Sequence, residues 1–169
     1  MTLYNSIRDA ERIVRSHLRC TPTEYSRLLS NQTGAEVYLK LENLQLTGSF
    51  KARGALNKLS KLSSEEKKQG VVTASSGNHG LGVASGARKL GIPATVYVPE
   101  YADRSKVQGI ELEGAEVKFY GSDCVITEAA ARKEARKSGR VYISPYNDLD
   151  VIAGQGTVGA EIAEQLSAV

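Results

Sequence analysis

No stretch of this sequence is apolar for long enough to cross a membrane; nothing approaches the roughly 20 residues a spanning helix needs. Its first residues, MTLYNSIRDAERIVRSHLR, are charged throughout and lack an apolar core, so they do not read as a secretory signal. Cysteine is scarce. Cys20 and Cys124 are the only two, and their separation matches no metal or redox spacing. Two free thiols in a reducing compartment is the reading taken, and with it a soluble cytoplasmic protein. Charge of one sign is scarce as well. The net charge is +3, with acids and bases interspersed, and no basic stripe with interleaved aromatics appears. Neither nucleic acid nor a membrane is therefore an expected partner. The run Glu65-Glu66-Lys67-Lys68 reads as a solvated helix face. There is no internal repeat and no low-complexity segment.

What is present is ordinary for a globular protein: 41% hydrophobic and 24% charged residues in a chain of 169, enough for one domain or one and a fraction. Apolar positions Leu3, Ile7, Ala10, Ile13, Val14 and Leu18 share one helical stripe, which Thr21-Pro22-Thr23 breaks. A short helix is expected over 24–31, a strand over Glu36–Leu41, a turn at Leu46–Ser49 and a helix over 50–62. From Gly70 the pattern is regular. Strands are expected at Val71–Ala74, Ala94–Val98, Glu116–Tyr120 and Val141–Ser144, and helices at 81–90, 103–113, 126–138 and 150–166. Glycine or proline stands at most of the boundaries. Alternation of this kind with short connections predicts parallel βαβ units and an α/β doubly wound sheet. In such sheets ligands sit at the carboxyl ends of strands, beside helix N-termini.

Three segments could carry chemistry. The first is Thr47-Gly48-Ser49-Phe50-Lys51-Ala52-Arg53-Gly54-Ala55. Its lysine follows a Gly-Ser turn and opens a helix. The partial positive charge of a helix start disfavours an ammonium there, and a neutral amine attacks carbonyl carbon. A surface lysine in a first helical turn is the plain alternative. The second segment, Thr73-Ala74-Ser75-Ser76-Gly77-Asn78-His79-Gly80, follows an apolar strand and opens a helix. Its amides and hydroxyls form a natural anion cradle, or else a glycine-rich turn with capping serines. It fits neither G-x-x-x-x-G-K-[ST] nor G-x-G-x-x-G, which weakens a nucleotide reading. The third, Ala153-Gly154-Gln155-Gly156-Thr157, places glycines inside a helical pattern. Close helix packing is the favoured reading there, and a nearby ligand the other.

In order and at their separations, KLENLQLTGSFKARGA, TASSGNHG and VIAGQGT resemble the serine/threonine dehydratase and serine racemase family of pyridoxal-phosphate (PLP) enzymes, which share the tryptophan-synthase-β-like fold. The resemblance runs from Thr21-Pro22 to Gly159. It implies parallel twisted sheets with flanking helices, and PLP as cofactor. It implies that Lys51 forms the Schiff base with PLP and then handles the substrate α-proton, that Phe50 packs near the cofactor ring, and that Asn78 hydrogen-bonds its phenolic oxygen. Ser75, Ser76, Gly77 and His79 would surround the carboxylate of a small amino-acid substrate. His79 reads equally as a helix-cap histidine. Ser76 stands where serine racemases carry the acid of the second face, whereas many threonine dehydratases have alanine there. No metal ligand set is implied within this stretch.

Family members resembling this chain are roughly twice as long. The resemblance therefore implies truncation after about half: residues 1–69 as the N-terminal part of a large PLP domain that includes Lys51, 70–147 as a small α/β domain, and 148–169 as the start of the return into the large one. The glycine-rich phosphate loop would lie beyond Val169. The full-length form is expected to be a homo-oligomer. Arg104 stands where relatives commonly have proline. The expected activity is β-elimination of the hydroxyl of serine or threonine, giving an α-keto acid and ammonia. Serine racemisation and threo-3-hydroxyaspartate dehydration come next, then a non-catalytic fragment. A cysteine-synthase-like β-replacement enzyme is disfavoured by TGSFKARGA, and a Rossmann nucleotide module is weaker still.

Overall fold

The computed structural model describes residues 2–166; Met1 and residues 167–169, the outer ends of the first and last expected segments, lie outside the described residues. The N-terminal apolar stripe forms helix α1, Leu3–His17, whose first turn is capped by the Thr2 hydroxyl accepting from Asn5 N–H at 3.4 Å. Strand β1, Thr23–Tyr25, then pairs antiparallel with β2, Tyr38–Lys40, setting Thr23 opposite Lys40 and Tyr25 opposite Tyr38. This corrects the expected helix over 24–31. Residues 24 and 25 are taken by the ladder and by the Tyr25–Tyr38 edge contact (5.4 Å), and the helix starts only after Ser26 caps it, as α2, Arg27–Thr33.

Helix α3, Lys51–Ser60, is followed by a short helix α4, Ser64–Gln69, to which the solvated Glu65–Lys68 face belongs. Ser63 and Glu66 close a reciprocal capping box at its start. Four strands follow: β3 Val71–Ala74, β4 Ala94–Val98, β5 Glu116–Phe119 and β6 Val141–Tyr142. All pair in parallel, in the spatial order β5-β4-β3-β6. Between them run α5 Asn78–Leu90, α6 Arg104–Leu112 and α7 Cys124–Ser138. Side chains alternate across the pleat. Val96 and Val98 meet Ala84 of α5 and Val107 and Ile110 of α6, whereas Val72 and Tyr97 meet Ala131 and Ala135 of α7. Each fully buried valine of this layer contributes about 1.5–3 kcal/mol relative to exposure.

The strand order has a functional consequence. The chain steps from β3 to β4 to β5 in one direction, then crosses back and lays β6 on the other side of β3. The connections leaving β3 and β6 therefore diverge from their carboxyl ends, the topological switch point of an open α/β sheet, where such sheets place their ligands.

Helix α8, Leu149–Gln165, returns from the sheet to pack between α1 and α3. The contact is glycine-to-glycine. A Cβ on Gly154 would lie 2.6 Å from Arg53 O and from Gly54 Cα, and a Cβ on Gly156 would lie 2.6 Å from Ile7 Cδ1. The third sequence segment is thus absorbed by packing. Gly154 to Gly159 also has the bare spacing G-x-G-x-x-G, but it lies inside α8 instead of on a strand-to-helix turn, so it offers no phosphate cradle. Beside this contact lies a buried charge cluster. Arg53, fully buried, donates to Glu161 (2.6 and 2.8 Å) and to Glu42 (2.7 and 2.8 Å), and Lys40 donates to Glu161 at 2.6 Å. Both thiols, Cys20 and Cys124, are free and exposed. Among the described residues, no helix is long and apolar enough to cross a membrane.

Candidate active site

The site assembles from three short pieces of backbone. Gly48 takes a φ of 70°, which turns the chain out of the bend after Gln45 and lets α3 begin at residue 51. Lys51 is thus the first residue of a helix with no side-chain cap. It is half-buried; its Nζ donates to the Pro145 carbonyl at 3.3 Å and lies 5.0 Å from the centroid of the Phe50 ring. Phe50 is 40% exposed.

The second piece leaves β3. Ser75 N–H still bonds to Tyr97 O at 3.0 Å, and its hydroxyl accepts from Gly77 N–H at 3.2 Å, closing the turn that starts α5. The first backbone bond of that helix runs from Leu81 N–H to Gly77 O at 3.1 Å. The amides of Asn78, His79 and Gly80 precede it and are free to receive an anion. A Cβ on Gly77 would meet nothing within 4 Å, so the loop is open on that side. Ser76, Gly77 and Asn78 line a cavity of about 280 Å³ whose far wall is Ser105, Lys106 and Gly109 of α6.

The third piece leaves β6. The Ile143 carbonyl accepts from the Thr73 hydroxyl at 2.8 Å and from His79 Nε2 at 3.2 Å. The Ser144 hydroxyl accepts from Asn147 N–H at 3.1 Å, and Pro145 presents its carbonyl to Lys51. Burial pushes the His79 imidazole down to about 4; the hydrogen bond to Ile143 opposes this and the Lys51 charge adds to it, so the ring is neutral at pH 7.

The expected residues therefore divide. Ser76, Gly77 and Asn78 share one cavity wall. The Ser75 side chain is engaged in its own turn. The His79 ring is turned inward, 3% exposed, and only its backbone amide is free. Lys51 is not on the cavity wall, but α5 is pressed onto its backbone: a Cβ on Gly82 would lie 3.1 Å from Lys51 C. The carbonyls of Ile143 and Pro145 are the groups that residue reading missed; Pro145 signalled only the end of a strand. A primary amine within reach of solvent, beside an open helix start with unpaired amides, fits an aldehyde cofactor that carries negative charge.

Known proteins resemble this chain over nearly its whole length. The family model described as pyridoxal-phosphate dependent enzyme matches residues 14–169. An L-threonine ammonia-lyase of Thermotoga maritima is 48% identical over 166 residues, 98% of this chain and 41% of that protein. A catabolic L-threonine dehydratase of Staphylococcus aureus is 42% identical over 161 residues, covering 95% of this chain and 46% of the relative. Among solved structures, the processed threonine deaminase isoform 2 of Solanum lycopersicum superposes with a TM-score of 0.92 at 36% identity, over 99% of this chain and 49% of that one. Maize serine racemase gives 0.92 at 35% identity, over 96% and 50%. The chain spans about half the length of the relatives it matches.

Proposed function

Because the chain belongs to the pyridoxal-phosphate dependent enzyme family, we propose that it carries the lysine and the carboxylate loop of an enzyme that removes the β-hydroxyl of L-threonine or L-serine. The observation that carries the reading is the seating of the Lys51 amine on the Pro145 carbonyl, in the connection that leaves β6 at the switch point, beside the open start of α5. PLP, when bound, supplies an electron sink for the charge left by the α-proton. The chain's own residues do the rest. Lys51 would hold the cofactor through Nζ and, once the substrate amine has displaced it, its freed amine would take the proton from the substrate Cα. Asn78 orients the ring through its phenolic oxygen, and Phe50 flanks it. The amides of Asn78 to Gly80, beside the open Gly77, with the Ser75 and Ser76 hydroxyls, receive the substrate carboxylate. The β-hydroxyl would leave as water with the proton carried by the Lys51 amine, and hydrolysis of the released enamine would yield an α-keto acid and ammonia.

The same reading treats residues 1–69 and 148–169 as one unit and 70–147 as another; α1, α3 and α8 pack together, and α3 also packs on α5 through a shared core that includes Ala55, Leu59, Val71, Val83 and Val151. It makes the enzyme a homo-oligomer acting on a free amino acid in the cytoplasm; two exposed free thiols suit a reducing compartment.

A second reading, serine racemisation, is favoured by one observation: Ser76, on the cavity wall beside Asn78, offers a hydroxyl that can return a proton to the other face of Cα. Threo-3-hydroxyaspartate dehydration shares the same residues.

Borohydride reduction of the PLP-loaded protein followed by peptide mapping tests the lysine. The label is expected on Lys51 and absent from Lys51→Ala; a label on another side chain refutes the assignment. Ser76→Ala is expected to suppress racemisation more than dehydration, and equal losses would remove Ser76 as the acid of the second face.

A further inference from the structure

At the switch point the connections leaving β3 and β6 part. The last rung between them is Ile143 N–H to Val72 O, at 2.8 Å. Beyond it the Ile143 carbonyl has no strand partner and takes two side-chain donors, the Thr73 hydroxyl and His79 Nε2. Two residues on, the Pro145 carbonyl takes the Lys51 amine. The Ile143 side chain anchors the segment in the core, but proline at 145 cannot donate to a ladder, so beyond Ile143 N–H the backbone is oriented by what grips its carbonyls.

The geometry fixes the state of the histidine. A carbonyl only accepts, so the ring nitrogen facing Ile143 carries the hydrogen. The neutral ring is then the Nε2–H tautomer, with its lone pair on Nδ1. That nitrogen is buried without a hydrogen-bond partner, in a residue only 3% exposed. A leucine would fill similar space and strand no polar atom. The imidazole is therefore poorly explained by packing and well explained by its one donated bond.

We propose that His79 is a positioning residue for Lys51: its Nε2–H grips the Ile143 carbonyl and, through the three-residue strut Ile143–Pro145, sets where the Pro145 carbonyl seats the lysine amine. The inference rests on Lys51 being the cofactor lysine. The strut joins the two halves of the site. The start of α5, which carries the Ser76–Asn78 wall, holds one end of it, and the amine that opens α3 rests on the other. A shift of the loop is transmitted to the amine without direct contact between them. Thr73 is the second grip on the same carbonyl, from within β3.

Three variants and one spectrum test this. Long-range ¹⁵N NMR of the histidine rings at pH 7 is expected to show His79 neutral and protonated on Nε2; an Nδ1–H tautomer or a charged ring overturns the proposal. The rate of PLP trapping at Lys51 by borohydride is expected to fall about three- to tenfold in His79→Leu, the rate equivalent of one neutral hydrogen bond. His79→Gln, whose amide can donate from a similar position, is expected to restore most of that rate. Thermal unfolding of the same samples separates loss of position from loss of fold. A leucine variant that traps PLP as fast as wild type, or a glutamine variant as slow as leucine, overturns the proposal. Should the leucine variant fail to fold, Thr73→Val removes the other grip with little change of shape and is expected to slow trapping; unchanged trapping overturns the proposal equally. A wild type unlabelled at Lys51 removes the functional reading and this inference with it, whereas a labelled wild type with an indifferent leucine variant removes this inference alone.

Discussion

Acidification reaches the switch point without touching its covalent structure. His79 is held down to about 4 in the folded chain, against about 6.5 for a free imidazole, chiefly because burial penalises its charged form. Between those values the unfolded histidine binds a proton that the folded one refuses. Stability must therefore fall as the pH drops through that window. Taken from pH 7 to pH 5, the difference is worth about 2 kcal/mol. With a urea slope of about 2 kcal/mol/M, the unfolding midpoint moves down by about 1 M. The carboxylates add little over this range. Burial pulls Glu161, Asp150 and Glu128 upward, hydrogen bonds from their partners outweigh it, and each ends below its ordinary value. Their contributions are present above the unfolded carboxylate value and are lost only as the pH falls further, through the folded one. Urea unfolding at pH 7, 6 and 5, on wild type and on His79→Gln, isolates the histidine. The glutamine variant should lose about 1 M less of its midpoint on going from pH 7 to 5 than wild type does. Parallel pH dependences in the two proteins would refute the reasoning.

Two further predictions concern the frame that carries Lys51. Gly154→Ala drives a methyl to 2.6 Å from Arg53 O and Gly54 Cα, both backbone atoms that cannot rotate away, and should destabilise by about 3 kcal/mol, read by chemical denaturation. Glu161→Gln leaves buried Arg53 with Glu42 alone and strips Lys40 of its carboxylate; a loss of about 3 kcal/mol is expected, seen calorimetrically as a Tm lower by about 6–12 °C.

The alternating half of the fold was legible because its strands are short apolar runs closed by glycine or proline. Val71–Ala74 and Ala94–Val98 coincide with the expected strands for that reason. Strand β1 was not legible. Three residues after a proline have no period of their own, and only pairing with Tyr38–Lys40 makes them extended. Lys51 and the Ser76–Asn78 turn stood out as small-residue bends that open helices. The seats beneath them did not, because a backbone carbonyl has no letter in the sequence and the Ile143–Pro145 segment is recruited by strand order, seventy residues after β3. Arg53 was visible as part of a motif, but its burial depends on Glu42 and Glu161 converging from two other elements. Gly154 to Gly159 shows the converse: a spacing that mimics a phosphate loop is emptied of that meaning by lying within a helix.

The spatial order of the sheet also bears on how the chain reaches its native state. Thr95 and Glu116, aligned across β4 and β5, are 21 residues apart, whereas Thr73 and Ile143, joined across β3 and β6, are 70 apart. Closing the longer loop costs about 1 kcal/mol more in chain entropy, and β6 brings only two residues of ladder to offset it. Strand β6 should therefore dock late, after β3, β4 and β5 have formed a template. The seat of the lysine matures with it, so competence to capture a cofactor becomes one of the last properties the polypeptide acquires.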